Sequence, residues 1–117
     1  MFTYDCEVTR VVDGDTCDVT IDLGFKIMHK ARVRLYGINA PESRTRDKEE
    51  KYRGLQAKAR LKELVREKDT RLISHDKGKY GRVLGEILVK NHNDKWNSVN
   101  KILVKEGHAT EYYGGKR

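Results

Sequence analysis

Between positions 4 and 12, apolar Tyr4, Cys6, Val8 and Val12 are interleaved with Asp5, Glu7 and Thr9, the two-residue period of a strand with one buried face. Past Asp13-Gly14-Asp15 the alternation resumes, with Cys17, Val19, Ile21 and Leu23 set against Thr16, Asp18, Thr20 and Asp22. The two runs therefore form a hairpin that turns on the tripeptide. Gly24 interrupts the pattern, and a third strand is predicted around Ala31, Val33 and Leu35, with Arg32 and Arg34 on its other face. The segment 39–47 is polar, holds the only proline, Pro41, and reads as a loop. From 48 to 68 there is no proline, and Ala57, Leu61, Leu64 and Val65 fall at helical spacing among Lys, Glu and Arg, which predicts one long amphipathic helix. Strands are predicted again over 71–75 and 82–90, with a turn at 91–94. Ser98 can cap a short helix carrying Val99, Ile102 and Leu103, with Gly107 just past its end.

Three meandering strands, a helix and two more strands is the order of a five-stranded Greek-key barrel, an α+β fold that is mainly β. Such barrels commonly bind oligonucleotides on one face. The 117 residues make one domain, 1–117, long enough for a hydrophobic core without disulfide or metal staples. Apolar and charged residues each supply 37% of the chain, so every element has to be amphipathic and a doubly wound parallel sheet is disfavoured.

Lys and Arg outnumber Asp and Glu by 25 to 18, a formal charge of +7. That excess points to a polyanion, either nucleic acid or an anionic membrane surface, although a charge of about 2 to 8 also simply keeps a small domain soluble. No apolar run is long enough to span a bilayer, and acids stand where a signal peptide would be apolar, so an intracellular, cytoplasmic protein is expected. A surface this charged, without an obvious apolar patch, is expected to be monomeric. In the predicted hairpin Cys6 falls opposite roughly residue 22 and Cys17 opposite roughly residue 11, so both are expected as reduced thiols. The four histidines are scattered, and no zinc-ligand spacing appears.

Three clusters hold candidate chemistry. Asp15 shares strand parity with Cys17, Val19 and Ile21, which turns its carboxylate toward the apolar side, where a charge needs a partner or a metal. Asp13 fits a turn aspartate that bonds its own backbone. In Arg34-Leu35-Tyr36-Gly37-Ile38-Asn39-Ala40-Pro41-Glu42, the proline stiffens the backbone and holds Glu42 where the chain leaves the sheet. Lys79-Tyr80-Gly81-Arg82 is the third cluster, with Arg82 opening a strand. Together these hold the groups that phosphodiester hydrolysis needs. Two guanidinium forks can grip a phosphate, Asp15, Asn39 and the Ala40 carbonyl can take a hard cation, and Glu42 can accept a proton from water.

In this order and at roughly these spacings, the three clusters resemble the staphylococcal nuclease (thermonuclease) family, and Val99-Asn100 through Leu103-Val104 with Gly107 resemble its helix near the C-terminus. The likeness covers about residues 4–113. It implies an OB-fold barrel with helices packed on it, and calcium-dependent cleavage of DNA and RNA with low sequence specificity, leaving 3′-phosphate ends. Carried over by residue, the likeness makes Asp15 a metal ligand and Ala40 a backbone-carbonyl donor. Arg34 and Arg82 become the phosphate-binding arginines and Glu42 the general base, while Lys79, Tyr80 and Tyr113 lie around the nucleotide. Tyr112 is a further substrate-binding candidate. Asn39 stands where secreted members carry a second aspartate. One negative charge is therefore missing from the metal site, which implies weaker calcium binding, or magnesium or manganese in its place. That departure also favours an alternative, a nucleic-acid-binding barrel with weakened or lost catalysis. A scaffold for acidic proteins would explain the charge and leave the three clusters without purpose.

Overall fold

The alternating runs build a β-meander. In the computed structural model, which describes residues 2–77 and 82–113, β1 (Phe2–Asp13), β2 (Thr16–Asp22) and β3 (Met28–Leu35) pair antiparallel in sequence order. β1 also pairs with β5 (Thr70–Lys77), and β5 with β6 (Val83–Lys90). A parallel pairing of β3 with β6, Val33↔Val83 through Leu35↔Gly85, closes these five strands into a barrel. The expected five-stranded Greek-key architecture is what forms.

Parity decides what lies inside. Cys17, Val19 and Ile21 of β2 and Val33 and Leu35 of β3 are buried, and they meet Leu72, Ile87 and Val89 from the closing strands. Pairing puts Cys6 opposite Ile21 and Val11 opposite Cys17, so the thiols do not face each other, and both are free.

Three short elements are additional to the expected set. β4 (Ile38–Asn39) and β8 (Thr110–Glu111) form a two-residue ribbon, and β7 (Trp96–Ser98) extends the sheet from β6. Helix α1 (Lys48–Val65) begins at Asp47, whose side chain accepts hydrogen bonds from the Glu49 and Glu50 N–H groups. It stops three residues before the predicted end because Arg66 is extended and Glu67 is left-handed, turning the chain into β5. Helix α2 (Val99–Lys105) is capped by Ser98, as expected, and buries Val99, Asn100 and Leu103. Among the described residues no helix is long and apolar enough to cross a membrane.

Helix α1 lies so close to the barrel mouth and the Glu42 loop that one glycine is needed beneath it, Gly14, and one within it, Gly54. A Cβ on Gly14 would sit 2.5 Å from the Ala57 Cβ, and one on Gly54 would sit 2.3 Å from the Glu42 carbonyl oxygen. Replacing Gly54 by Ala should therefore push helix and loop apart and cost about 3 kcal/mol by overpacking, read as a lower urea midpoint.

Burial pushes the Cys17 thiol up to about 12 from its ordinary 9.0, helped by the proximity of Cys6 and Asp18. Above pH 9 the unfolded chain loses this proton while the folded chain keeps it. Stability should therefore fall between pH 9 and 12, at up to about 1.4 kcal/mol per pH unit. Denaturation of Cys17→Val at pH 8 and pH 10.5 should show a smaller alkaline loss than the native chain.

Candidate active site

The turn after β1 leaves Asp15 at the barrel mouth, only 8% exposed, as its strand parity requires. Three groups meet its carboxylate. The Thr16 hydroxyl donates to Oδ1 at 3.0 Å, the Ala40 N–H donates to Oδ2 at 2.9 Å, and Arg34 Nη1 lies 3.6 Å from Oδ2. The backbone carbonyl of Asp15 also accepts from the Leu35 N–H at 2.8 Å. Strand register accounts for the meeting, since Thr16 pairs directly with Arg34.

Arg34 is itself mostly buried, with 13% of its side chain exposed. Nη1 donates to the Leu35 carbonyl at 3.0 Å, and Nη2 to the Asn39 Oδ1 at 3.4 Å. Asn39 sits on β4, opposite Thr110, so the β4–β8 ribbon fixes its side chain beside the guanidinium. The structure thus brings Asp15, Arg34, Asn39 and Ala40 into one hydrogen-bonded group.

Glu42 follows two residues after Ala40, on a segment held at several points. Its N–H donates to the Glu50 Oε2 at 3.3 Å, and its carbonyl packs on Gly54. The next residue, Ser43, gives both its N–H and its hydroxyl to the Asp13 Oδ1. Asp13 therefore clamps the Glu42 loop, where sequence reasoning expects it to bond its own turn. The Glu42 side chain is exposed, and among the described residues its carboxylate accepts no hydrogen bond and forms no ion pair. Arg82, half-buried, immediately precedes β6 and so enters beside β3 through the Val33↔Val83 pairing.

Of the expected substrate residues, Lys79 and Tyr80 lie outside the described residues. Tyr112 is half-buried, and its N–H donates to the Gly37 carbonyl at 2.8 Å. Tyr113 is exposed and packs edge-on against Tyr36 at 5.7 Å, close over the left-handed Gly37. Tyr36 in turn stacks on His75 at 4.2 Å. Sequence reasoning misses this aromatic group: Tyr36 lies within the second cluster, but His75 joins it only through long-range strand pairing.

The donor set suits a hard cation. Asp15, Asn39 and the Ala40 carbonyl offer only oxygen, and a carboxylate has about four lone-pair sites, more than the three groups at Asp15 use. Among the described residues no three His, Cys, Asp or Glu side chains cluster as metal ligands, and Asp15 is the one acid of the hydrogen-bonded group.

Comparison with known proteins points to the same family. The family model described as staphylococcal nuclease homologue matches residues 32–117. The chain is 33% identical to a micrococcal nuclease of Shigella flexneri over 115 residues, covering 94% of this chain and 60% of that protein. It is 36% identical to Protein ParB of Escherichia coli over 111 residues, 91% of this chain and 56% of that one. An uncharacterized endonuclease of Escherichia coli is 33% identical over 105 residues, 90% and 59% of the two chains. The chain thus spans a little over half the length of these curated relatives. With the barrel, the ordered clusters and a family match over most of its length, the chain belongs to the staphylococcal nuclease homologue family.

Proposed function

We propose that this domain is a metal-dependent phosphodiesterase that cleaves DNA or RNA with little sequence preference and leaves 3′-phosphate ends. The observation that carries the reading is the Asp15–Arg34–Asn39 group, a buried carboxylate and guanidinium beside a rigid loop that presents an unengaged Glu42. A pure binder gains nothing from a carboxylate where a phosphate would sit.

Arg34 and Arg82 grip the phosphate through paired N–H donors, and they hold it most tightly as charge builds on the oxygens in the five-coordinate transition state. Glu42 takes the proton from the attacking water, a role suited to a carboxylate not already neutralised by a partner. Lys79, Tyr80, Tyr112 and Tyr113 hold the nucleotide beyond the reacting phosphate, the tyrosines by stacking, which accepts any base. Asp15, Asn39 and the Ala40 carbonyl would hold calcium, or magnesium or manganese in its place. When bound, the cation would supply Lewis-acid stabilisation of the phosphate charge. Asn39 also motivates the second reading, a nucleic-acid-binding barrel with weakened catalysis, because an amide oxygen brings no charge to the metal.

Single-stranded DNA, duplex DNA and RNA incubated with calcium, magnesium, manganese or chelator separate the two readings. Cleavage should require metal. Glu42→Gln, at an exposed position, should lower the rate at least about 100-fold, and Arg34→Lys, which keeps the charge and loses the fork, should also lower it. Tight binding without cleavage in every metal would establish the binder instead. Calorimetric titration should show Asn39→Asp binding calcium about tenfold more tightly than the native chain, in line with the added ligand charge. Equal affinities would refute the assignment of Asn39 to the metal.

A further inference from the structure

The hairpin joining β2 to β3 ends in a tip that folding alone does not explain. Leu23, Phe25, Ile27 and Met28 are all substantially exposed, and Phe25 is 97% exposed. The turn is tight: the Leu23 N–H donates to the Ile27 carbonyl and the Ile27 N–H to the Gly24 carbonyl, each at 2.9 Å. Its central residues, Phe25 and Lys26, are both left-handed, with φ of 54° and 62°. Asn and Gly adopt that conformation at lower cost, and they are the usual occupants of a turn with two successive positive φ angles. The chain instead holds an aromatic ring and a cation at the apex of a projecting ribbon.

Apolar groups surround this ribbon on both sides. By strand parity Leu23 and Ile27 continue the inward rows of β2 and β3 past the barrel, Met28 lies on the outward row, and Phe25 is at the end. A flat docking face would be apolar on one side only. An apolar tip of this shape suits insertion between stacked bases, the way apolar wedges enter nucleic acid. The charge along β3 favours the same occupant. Lys30, Arg32 and Arg34 follow one another on its outward face at every second position, so a line of cations runs from the candidate active site toward Lys26 at the tip. Asp18 neutralises Arg32 at 2.8 Å, whereas Lys26 and Lys30 have no ion-pair partner among the described residues. From Arg34 to Met28 the strand rises about 20 Å.

We propose that the β2–β3 hairpin is a nucleic-acid arm: a strand gripped at Arg34 runs along β3 past Lys30, and Phe25, beyond Met28 and so more than about 20 Å away, stacks on or wedges between its bases. The arm rests on the proposed nuclease reading for the polarity of its track, and it extends the substrate from one nucleotide to a segment. Stacked at about 3.4 Å per nucleotide, the strand needs at least about six nucleotides to reach the tip.

The test measures anisotropy of labelled single-stranded oligonucleotides of 3 to 20 nucleotides in chelator, so that binding is read without hydrolysis, and in parallel sedimentation with phosphatidylserine vesicles. Phe25→Ala and Phe25→Asn, the second better suited to the left-handed turn, should weaken binding of the long oligonucleotides about tenfold and leave the trinucleotide unchanged, while Phe25→Trp should retain binding. Lys30→Ala should reduce the salt dependence of long-oligonucleotide binding by about one unit of slope. Unchanged melting temperatures would assign these losses to the arm. Three results overturn the proposal: equal affinities of Phe25→Ala and the native chain at every length, no oligonucleotide binding by the native chain, or a Phe25-dependent loss confined to phosphatidylserine vesicles. If the length-dependent loss appears and no metal supports cleavage, the arm stands and the nuclease reading falls. Cleavage with no effect at Phe25 is the converse.

Discussion

A carboxylate taken out of water must be compensated, and Asp15 is compensated by groups from three different regions of the chain. Its own neighbour Thr16, Arg34 on β3 and the Ala40 N–H beyond β4 converge on its two oxygens, while its carbonyl takes the Leu35 N–H. Losing any one partner would leave buried charge less well satisfied, which costs more than the lost bond is worth in water. The same contacts that make the burial tolerable therefore fix the distance between the hairpin turn, the end of β3 and the loop leading to Glu42. Stability and site geometry rest on one set of bonds.

The loop after β4 shows how a short exposed segment is kept rigid. Pro41 restricts it from within, Asp13 holds Ser43 from the first turn, and Glu50 and Gly54 of helix α1 meet Glu42 from the other side. None of these contacts involves the Glu42 carboxylate. The backbone is determined on both flanks while the carboxylate is left to solvent, as the proposed role of proton acceptor would require. Beneath the site, Asn100 serves a similar purpose. Its amide donates to the Tyr36 and Gly85 carbonyls, and its oxygen accepts from the Ile87 N–H, so helix α2 secures the place where β3 and β6 close the barrel.

Features set by local periodicity are legible in the sequence. The alternation of Cys17, Val19 and Ile21 gives β2 and its buried face, and counting back across Asp13-Gly14-Asp15 gives the Cys6 and Cys17 registers to within a residue. Ala57, Leu61 and Leu64 give the buried face of α1. Features that depend on partners distant in the chain are not legible. The two-residue ribbon of β4 with β8 has no periodicity to read, Asp13 reaches Ser43 across 30 positions, and His75 meets Tyr36 only because β5 and β3 both border β6. Gly14 reads as a turn residue, and its closer constraint, the approach of Ala57, belongs to the packing of a helix that the turn itself does not encode. At the site, Asp15, Arg34, Asn39 and Ala40 are identifiable as residue types, and their hydrogen-bonded order is not.

The Asn39 amide changes the electrostatics of this arrangement in two opposing ways. With aspartate at that position the group would hold two carboxylates against the single guanidinium of Arg34. With asparagine, Asp15 is the one acid of the hydrogen-bonded group, and the Arg34 guanidinium 3.6 Å from its carboxylate offsets that charge. The missing charge lowers the group's repulsion of any anion and its attraction for any cation alike. The amide oxygen accepts from the Arg34 Nη2 at 3.4 Å, so the fork is oriented without the Coulomb cost of gathering a second anion. On the proposed nuclease reading, a group built this way leaves more of the work of holding an anionic substrate to the cations of the protein surface, and the basic excess of the chain supplies them.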